Sequence, residues 1–137
     1  MKYIAVIVVL ALIFLIAIDQ SFIPDNFSIV EQGASAECVA KRGTDQPPLP
    51  FHYDGCTLWP NGDWASCCAA HDATYWCGGS AEDRVRADTT FKNCVNERTR
   101  TPVVGSIMYY GVRIGGIPWI PWQARWGFGW KFGKGYE

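Results

Sequence analysis

Apolar and polar positions divide this chain into regions of different character. Ile4 to Ile18 is an unbroken run of fifteen apolar residues behind Lys2. As a helix it spans about 22 Å, short of the roughly 30 Å of a bilayer's hydrocarbon layer. Extended through Tyr3 and Phe22, it predicts a signal peptide or a short tilted signal-anchor helix over residues 1–24. Lys2 before the run and Asp19 and Asp25 after it place the N-terminus in the cytoplasm and export the rest. Residues 25–52 lose the pattern. They are polar, rich in turn formers and end in Gln46-Pro47-Pro48-Leu49-Pro50, which predicts a linker partly tied down by Cys38.

The folded unit is expected over residues 53–100. Tyr53 to Asp63 is dense in glycine, proline, asparagine and aspartate and predicts a loop, with Asn61 or Asp63 available to cap a helix starting near Trp64. That helix should end at Gly78-Gly79. Ser80-Ala81-Glu82-Asp83 matches a capping box and opens a second helix towards Arg100, stopped by Thr101-Pro102. So short a connection predicts antiparallel packing. Residues 101–137 form a Gly/Trp-rich basic tail with one apolar stretch, Val103 to Val112. Trp119, Trp122, Trp126 and Trp130 recur at helical spacing, but Pro118, Pro121, Gly127 and Gly129 argue against a regular helix. An irregular segment on a membrane interface is expected; a strap wrapped around the domain is the other reading.

Composition sharpens this picture. The chain has 137 residues and six cysteines, an even number in a small domain whose core is modest once the N-terminal run is set aside. Disulfides in an oxidising compartment fit better than zinc, because Cys67 and Cys68 project about 100° apart on a helix and suit two partners. The net charge of −1 conceals an asymmetry: residues 1–83 carry three basic and ten acidic side chains, residues 84–137 nine basic and three acidic. Basic residues interleaved with tryptophan suit an anionic membrane surface. Nucleic acid, the other partner for such a pattern, is one an exported protein rarely meets, and a soluble basic face is the plain reading.

The candidate chemistry lies in CCAAHDATYWCGG, residues 67–79. His71 falls one turn beyond Cys67 on the same helix face. Were Cys67 bridged to Cys94, Asp88 would lie near the level of His71 on the second helix, with contact permitted by an angular offset of about 120°. A carboxylate on one imidazole nitrogen leaves the other as a general base. Were Cys68 bridged to Cys56, the Tyr53-Asp54-Gly55 loop would be held beside Asp72. Carboxylates from Asp72 and Asp54 with loop carbonyls make an oxygen site of the kind calcium prefers, and Gly55 lets the backbone turn inward. Plainer roles stand beside these. Asp88 can pair with Arg84 on its own helix, Asp54 can be a turn former, Tyr75 and Trp76 can be core aromatics, and His52 suits the surface.

Cys67, Cys68, His71, Asp72 and Tyr75 spell Cys-Cys-x-x-His-Asp-x-x-x-Tyr. With Asp88 six residues before Cys94, and Asp54-Gly55-Cys56 upstream, the pattern resembles the secreted phospholipase A2 superfamily, closest to its bacterial and fungal type. The resemblance covers about Tyr53 to Val95. It implies a mainly α, disulfide-stapled domain with two antiparallel helices, here preceded by a hydrophobic helix. It implies hydrolysis of the sn-2 ester of phospholipids, with His71 as general base, Asp88 orienting it, Tyr75 bonded to Asp88, and Ca2+ held by Asp54, Gly55 and Asp72. The expected partner is a phospholipid membrane surface, and a monomer is expected. The expected bridges are Cys56–Cys68 and Cys67–Cys94, which leaves Cys38–Cys77 by elimination. The chain departs from the family in four ways: it lacks the animal enzymes' glycine-rich calcium loop, its connection from Cys56 to Cys68 is short, it has no recognisable N-terminal helix to line a substrate channel, and its tail is foreign to the pattern. A silent binding module of the same fold and a stapled envelope protein are the competing classes.

Overall fold

The structure, a computed structural model, describes residues 27–137, so the predicted N-terminal helix of residues 1–24 lies outside the described residues. Within them are four helices and no strand: α1 (Phe27–Arg42), α2 (Ala65–Cys77), α3 (Ala81–Thr99) and α4 (Pro102–Gly115). None of the described helices is long and apolar enough to cross a membrane. Three disulfides staple them with the expected connectivity: Cys56–Cys68, Cys67–Cys94 and Cys38–Cys77.

Helix α2 carries one cysteine of every bridge. Trp64 precedes it without a side-chain cap, so neither Asn61 nor Asp63 caps it. Asn61 Oδ1 instead accepts from the Cys56 amide at 2.9 Å, closing the loop that the Cys56–Cys68 bridge also closes. Helix α3 begins as expected: Ser80 Oγ accepts from the Asp83 amide and Asp83 Oδ2 from the Ser80 amide, satisfying two donors that a helix start leaves open. It ends at Arg100 in the left-handed region, after which Thr101 caps α4 with Pro102 at its start. The Cys67–Cys94 bridge sets α2 against α3, and Phe91, Val95 and Met108 fill the space between α2, α3 and α4 around it.

Two expectations are corrected. Residues 27–42 are helix rather than linker. Their polar composition hides a narrow seam, Ala34 and Cys38 one turn apart, buried against Phe51, Trp76 and Cys77. The helix is fastened there by the Cys38–Cys77 bridge and by Lys41, which donates to Gly78 O at 2.9 Å and pairs with Asp83.

The tail, in turn, is divided rather than laid out as one interfacial segment. Its distal part is a strap on the end of α2. The last four carbonyls of a helix have no partner within it, and here each finds one: Thr74 O from the Gly78 amide, Tyr75 O from Gly127, Trp76 O from Gly129 and Cys77 O from the Trp130 indole. Trp126 is wholly buried and donates to Gly79 O. Gly129 is needed for this approach, since a Cβ there would sit 2.6 Å from Trp76. Of the tail's four tryptophans, only Trp119 and Trp122 stay exposed.

Candidate active site

The register set by Cys67–Cys94 carries along both helices, one turn to His71 and nearly two to Asp88. His71 Nε2 lies 2.9 Å from Asp88 Oδ1, and Tyr75, one turn beyond His71, donates its hydroxyl to the same oxygen at 2.8 Å. Asp88 has no solvent exposure and His71 is buried, with its ring between those of Tyr75 and Phe91. Burial pushes the Asp88 carboxyl towards its neutral form, but hydrogen bonds from His71 and then Arg113 outweigh it and hold the group below its ordinary value. Burial likewise lowers His71, against the pull of Asp88. A charged Asp88 accepts the Nε2 proton of a neutral imidazole, which leaves Nδ1 carrying the lone pair.

Two arginines complete the surroundings of Asp88. Arg113, from α4, donates to Oδ2 at 2.7 Å. Arg84 lies 3.8 Å from Oδ2 through Nε, a looser i,i+4 contact than the plain helix pairing suggested by its spacing. Its guanidinium is spent mainly elsewhere: on the Tyr75 hydroxyl, the Tyr136 hydroxyl, and the carbonyls of Val112 and Arg113. Asp88 therefore takes both roles read from the sequence, partner of His71 and partner of Arg84. Arg113 was not singled out. Its only signal is a lone charge at the end of the apolar stretch Val103 to Val112, on a helix that no sequence motif aligns with α3.

On the other side of the α2 backbone the chemistry is incomplete. Asp72 Oδ2 is buried with no hydrogen-bond partner among the described residues. Burial, and then the charge of Asp54, push the Asp72 carboxyl well above the usual carboxylate range. Tyr53 is raised by burial and then by both carboxylates, so Asp54 and Asp72 face a common region. Asp54 is exposed and its Oδ1 accepts from the Thr57 hydroxyl at 2.9 Å. Gly55 adopts φ 86°, a conformation that a side chain would resist, and a Cβ there would meet Asn61 at 2.9 Å. No cluster of three or more His, Cys, Asp or Glu side chains suited to a metal occurs among the described residues. The side-chain donor set is thus two carboxylates. These are hard oxygen ligands, with one buried oxygen and one mutual repulsion that a divalent cation would relieve.

Both sides open on one cavity of about 540 Å³, where His71, Asp72 and Asp54 share the walls with Leu58, Ile107 and Trp122. Those three apolar residues are also 85%, 52% and 42% exposed, so they form a greasy lip as well as a lining. Ile107 belongs to α4 and Trp122 to the segment after it, so the tail builds a wall that the sequence pattern did not assign. His52 is exposed, as expected, and stands at the same cavity. No protein-family model, curated protein or solved structure matches the chain, and the chemistry of the site is read from its own geometry.

Proposed function

We propose that the chain is a calcium-dependent, phospholipase A2-like hydrolase that cleaves the sn-2 ester of phospholipids at a membrane surface, in an oxidising compartment outside the cytoplasm. One observation carries the reading: an aspartate-held histidine and a buried, partnerless carboxylate oxygen lie on consecutive residues and face one largely apolar cavity.

In this mechanism His71 Nδ1 takes a proton from a water as its oxygen attacks the ester carbonyl. Asp88 keeps Nε2 protonated and offsets the charge of the imidazolium that forms. Tyr75 steadies the carboxylate through its hydroxyl. The proton held on Nδ1 then passes to the departing alkoxide, so the histidine ends as it began. Asp72 and Asp54, with carbonyls of the loop around Gly55, would hold Ca2+, which supplies a Lewis acid for the ester carbonyl when bound. The apolar walls accept an acyl chain and exclude bulk water.

The surface around the cavity favours a lipid over a soluble ester. Val103, Ile107, Tyr110 and Ile114 follow one another along α4 at spacings of three and four and are all more than half exposed, and Trp119 is 60% exposed. An apolar stripe running to an apolar lip lets a lipid pass into the cavity without its tail entering water.

The test is fatty-acid release from mixed anionic and zwitterionic vesicles by the full, oxidised chain, with calcium, with chelator, and with His71→Gln. Release that requires both calcium and His71 is the expected result. Calcium that raises the melting temperature without any release would indicate a silent binding module, and no response of either kind would leave a stapled scaffold.

A further inference from the structure

The motif on α2 accounts for one oxygen of Asp88. Oδ1 faces His71 Nε2 at 2.9 Å and accepts from Tyr75 at 2.8 Å, and both partners lie on the same helix. Two donors on one oxygen do not set the tilt of a carboxylate, because its terminal torsion is broad and roughly two-fold. The second oxygen must be held independently if Oδ1 is to stay aimed at the ring. Arg113 Nη1 does this at 2.7 Å in a charge-assisted bond, from α4 rather than from the helix that carries His71 and Tyr75.

Arg113 is itself anchored. Its carbonyl and that of Val112 accept from Arg84 Nη2 at 2.7 and 3.1 Å, which ties the end of α4 to α3 beside Asp88. Arg84 Nε also donates to the Tyr75 hydroxyl at 3.1 Å. That hydroxyl oxygen is then an acceptor, and its proton is directed to Asp88. Arg84 thus polarises one side of the arrangement and seats the residue that holds the other.

We propose that Arg113 is a positioning residue of this site: it holds Asp88 Oδ2 so that Oδ1 remains directed at His71 Nε2, and so makes the seating of α4 a condition of turnover. The turnover part rests on the hydrolase reading; the positioning part does not. Arg113 touches neither the cavity nor any reacting atom, and it acts through Asp88.

The experiment compares wild type, Arg113→Gln and Arg113→Lys as full oxidised chains, with two readouts. The first is the imidazole 15N–1H spectrum. The chain has two histidines, so a His52→Gln background leaves His71 alone. Wild type should show one tautomer with a protected Nε2–H. Arg113→Gln should lose that protection and populate both tautomers, and Arg113→Lys, a point charge without the planar fork, should fall between. The second readout is vesicle hydrolysis. There kcat should fall about 10- to 100-fold for Arg113→Gln with KM unchanged, as a small misdirection of the base costs rate and not binding. Should Arg113→Gln not fold, Arg113→Lys decides alone, and an imidazole spectrum and kcat equal to wild type would overturn the proposal. A folded Arg113→Gln that keeps the protected Nε2–H, or that changes only KM or melting temperature, would also overturn it. If wild type releases no fatty acid yet Arg113→Gln still scrambles the tautomer, the positioning role stands and the hydrolase reading falls.

Discussion

Asp88 is fully buried and Asp72 half-buried with one buried oxygen, both beside one histidine, yet their surroundings are opposite. Asp88 is over-supplied: a tyrosine, a histidine and an arginine occupy its oxygens, and a second arginine stands behind. Asp72 has one buried oxygen with nothing on it and a like charge nearby. A buried carboxylate costs several kcal/mol unless its charge is met, so the first arrangement is self-sufficient and the second is unfinished as protein alone. The dyad belongs to the fold's own stability. The Asp54–Asp72 side carries a cost that no hydrogen bond among the described residues offsets at Asp72 Oδ2.

The contrast predicts that the same kind of substitution will act in opposite directions. The largest effect belongs to Asp88. Asp88→Asn should lower vesicle hydrolysis by roughly three to four orders of magnitude, as loss of the orienting carboxylate does in comparable triads. Asp88→Ala should cost about 3–5 kcal/mol in denaturant unfolding, because Arg84 is left as a buried, uncompensated charge. Equal stability of wild type and Asp88→Ala would break the comparison.

Calcium gives the next effect. At a hundredfold excess over its dissociation constant it should stabilise the chain by about 2.7 kcal/mol, read as a rise in melting temperature that chelator reverses. Asp72→Asn should abolish that rise. Without calcium, Asp72→Asn should stabilise the chain by about 1 kcal/mol, since it removes a desolvated charge and its repulsion with Asp54. Destabilisation of the calcium-free chain by Asp72→Asn would show that Asp72 is already satisfied.

The smallest effect is the response to acid. Asp83 is lowered from 3.8 to about 2, chiefly by the Ser80 amide and then by Lys41 and Arg86, and Glu137 from 4.5 to about 2 by Arg42 and Lys134. Depressed folded values mean that these groups stabilise the fold above their ordinary values, and that this is lost as pH falls from about 4.5 to about 2. Asp88 shifts in the same direction. A melting temperature that stayed flat across that window, or no loss of acid sensitivity in Glu137→Gln, would contradict the pairing of the strap with α1.

What could be read from the chain before its fold was known is local. The boundaries of α2 and α3 were legible because capping residues and glycines act within a few positions: Ser80 and Asp83 at one start, Gly78-Gly79 at one stop. The bridges Cys56–Cys68 and Cys67–Cys94, and the meeting of His71 with Asp88, were expected from the family pattern, and antiparallel packing from the short connection. Helix α1 was missed because its buried seam is only Ala34 and Cys38, too thin for an apolar period to show among polar neighbours. Its stability comes from Trp76, Cys77 and Asp83, which are remote in sequence.

The tail makes the same point at longer range. Nothing local distinguishes Trp126, wholly buried, from Trp119, exposed; what separates them is that the carbonyls at the end of α2 need donors and the strap supplies them. By itself the sequence determined where two helices begin and end, and which residues of one are candidates for chemistry. Tertiary structure alone decided that Arg113 reaches Asp88, that α4 walls the cavity, and that one oxygen of Asp72 is left without a donor. Those contacts span sequence separations across which no period or capping rule operates, and they depend on which buried charges remain to be met once the helices are packed.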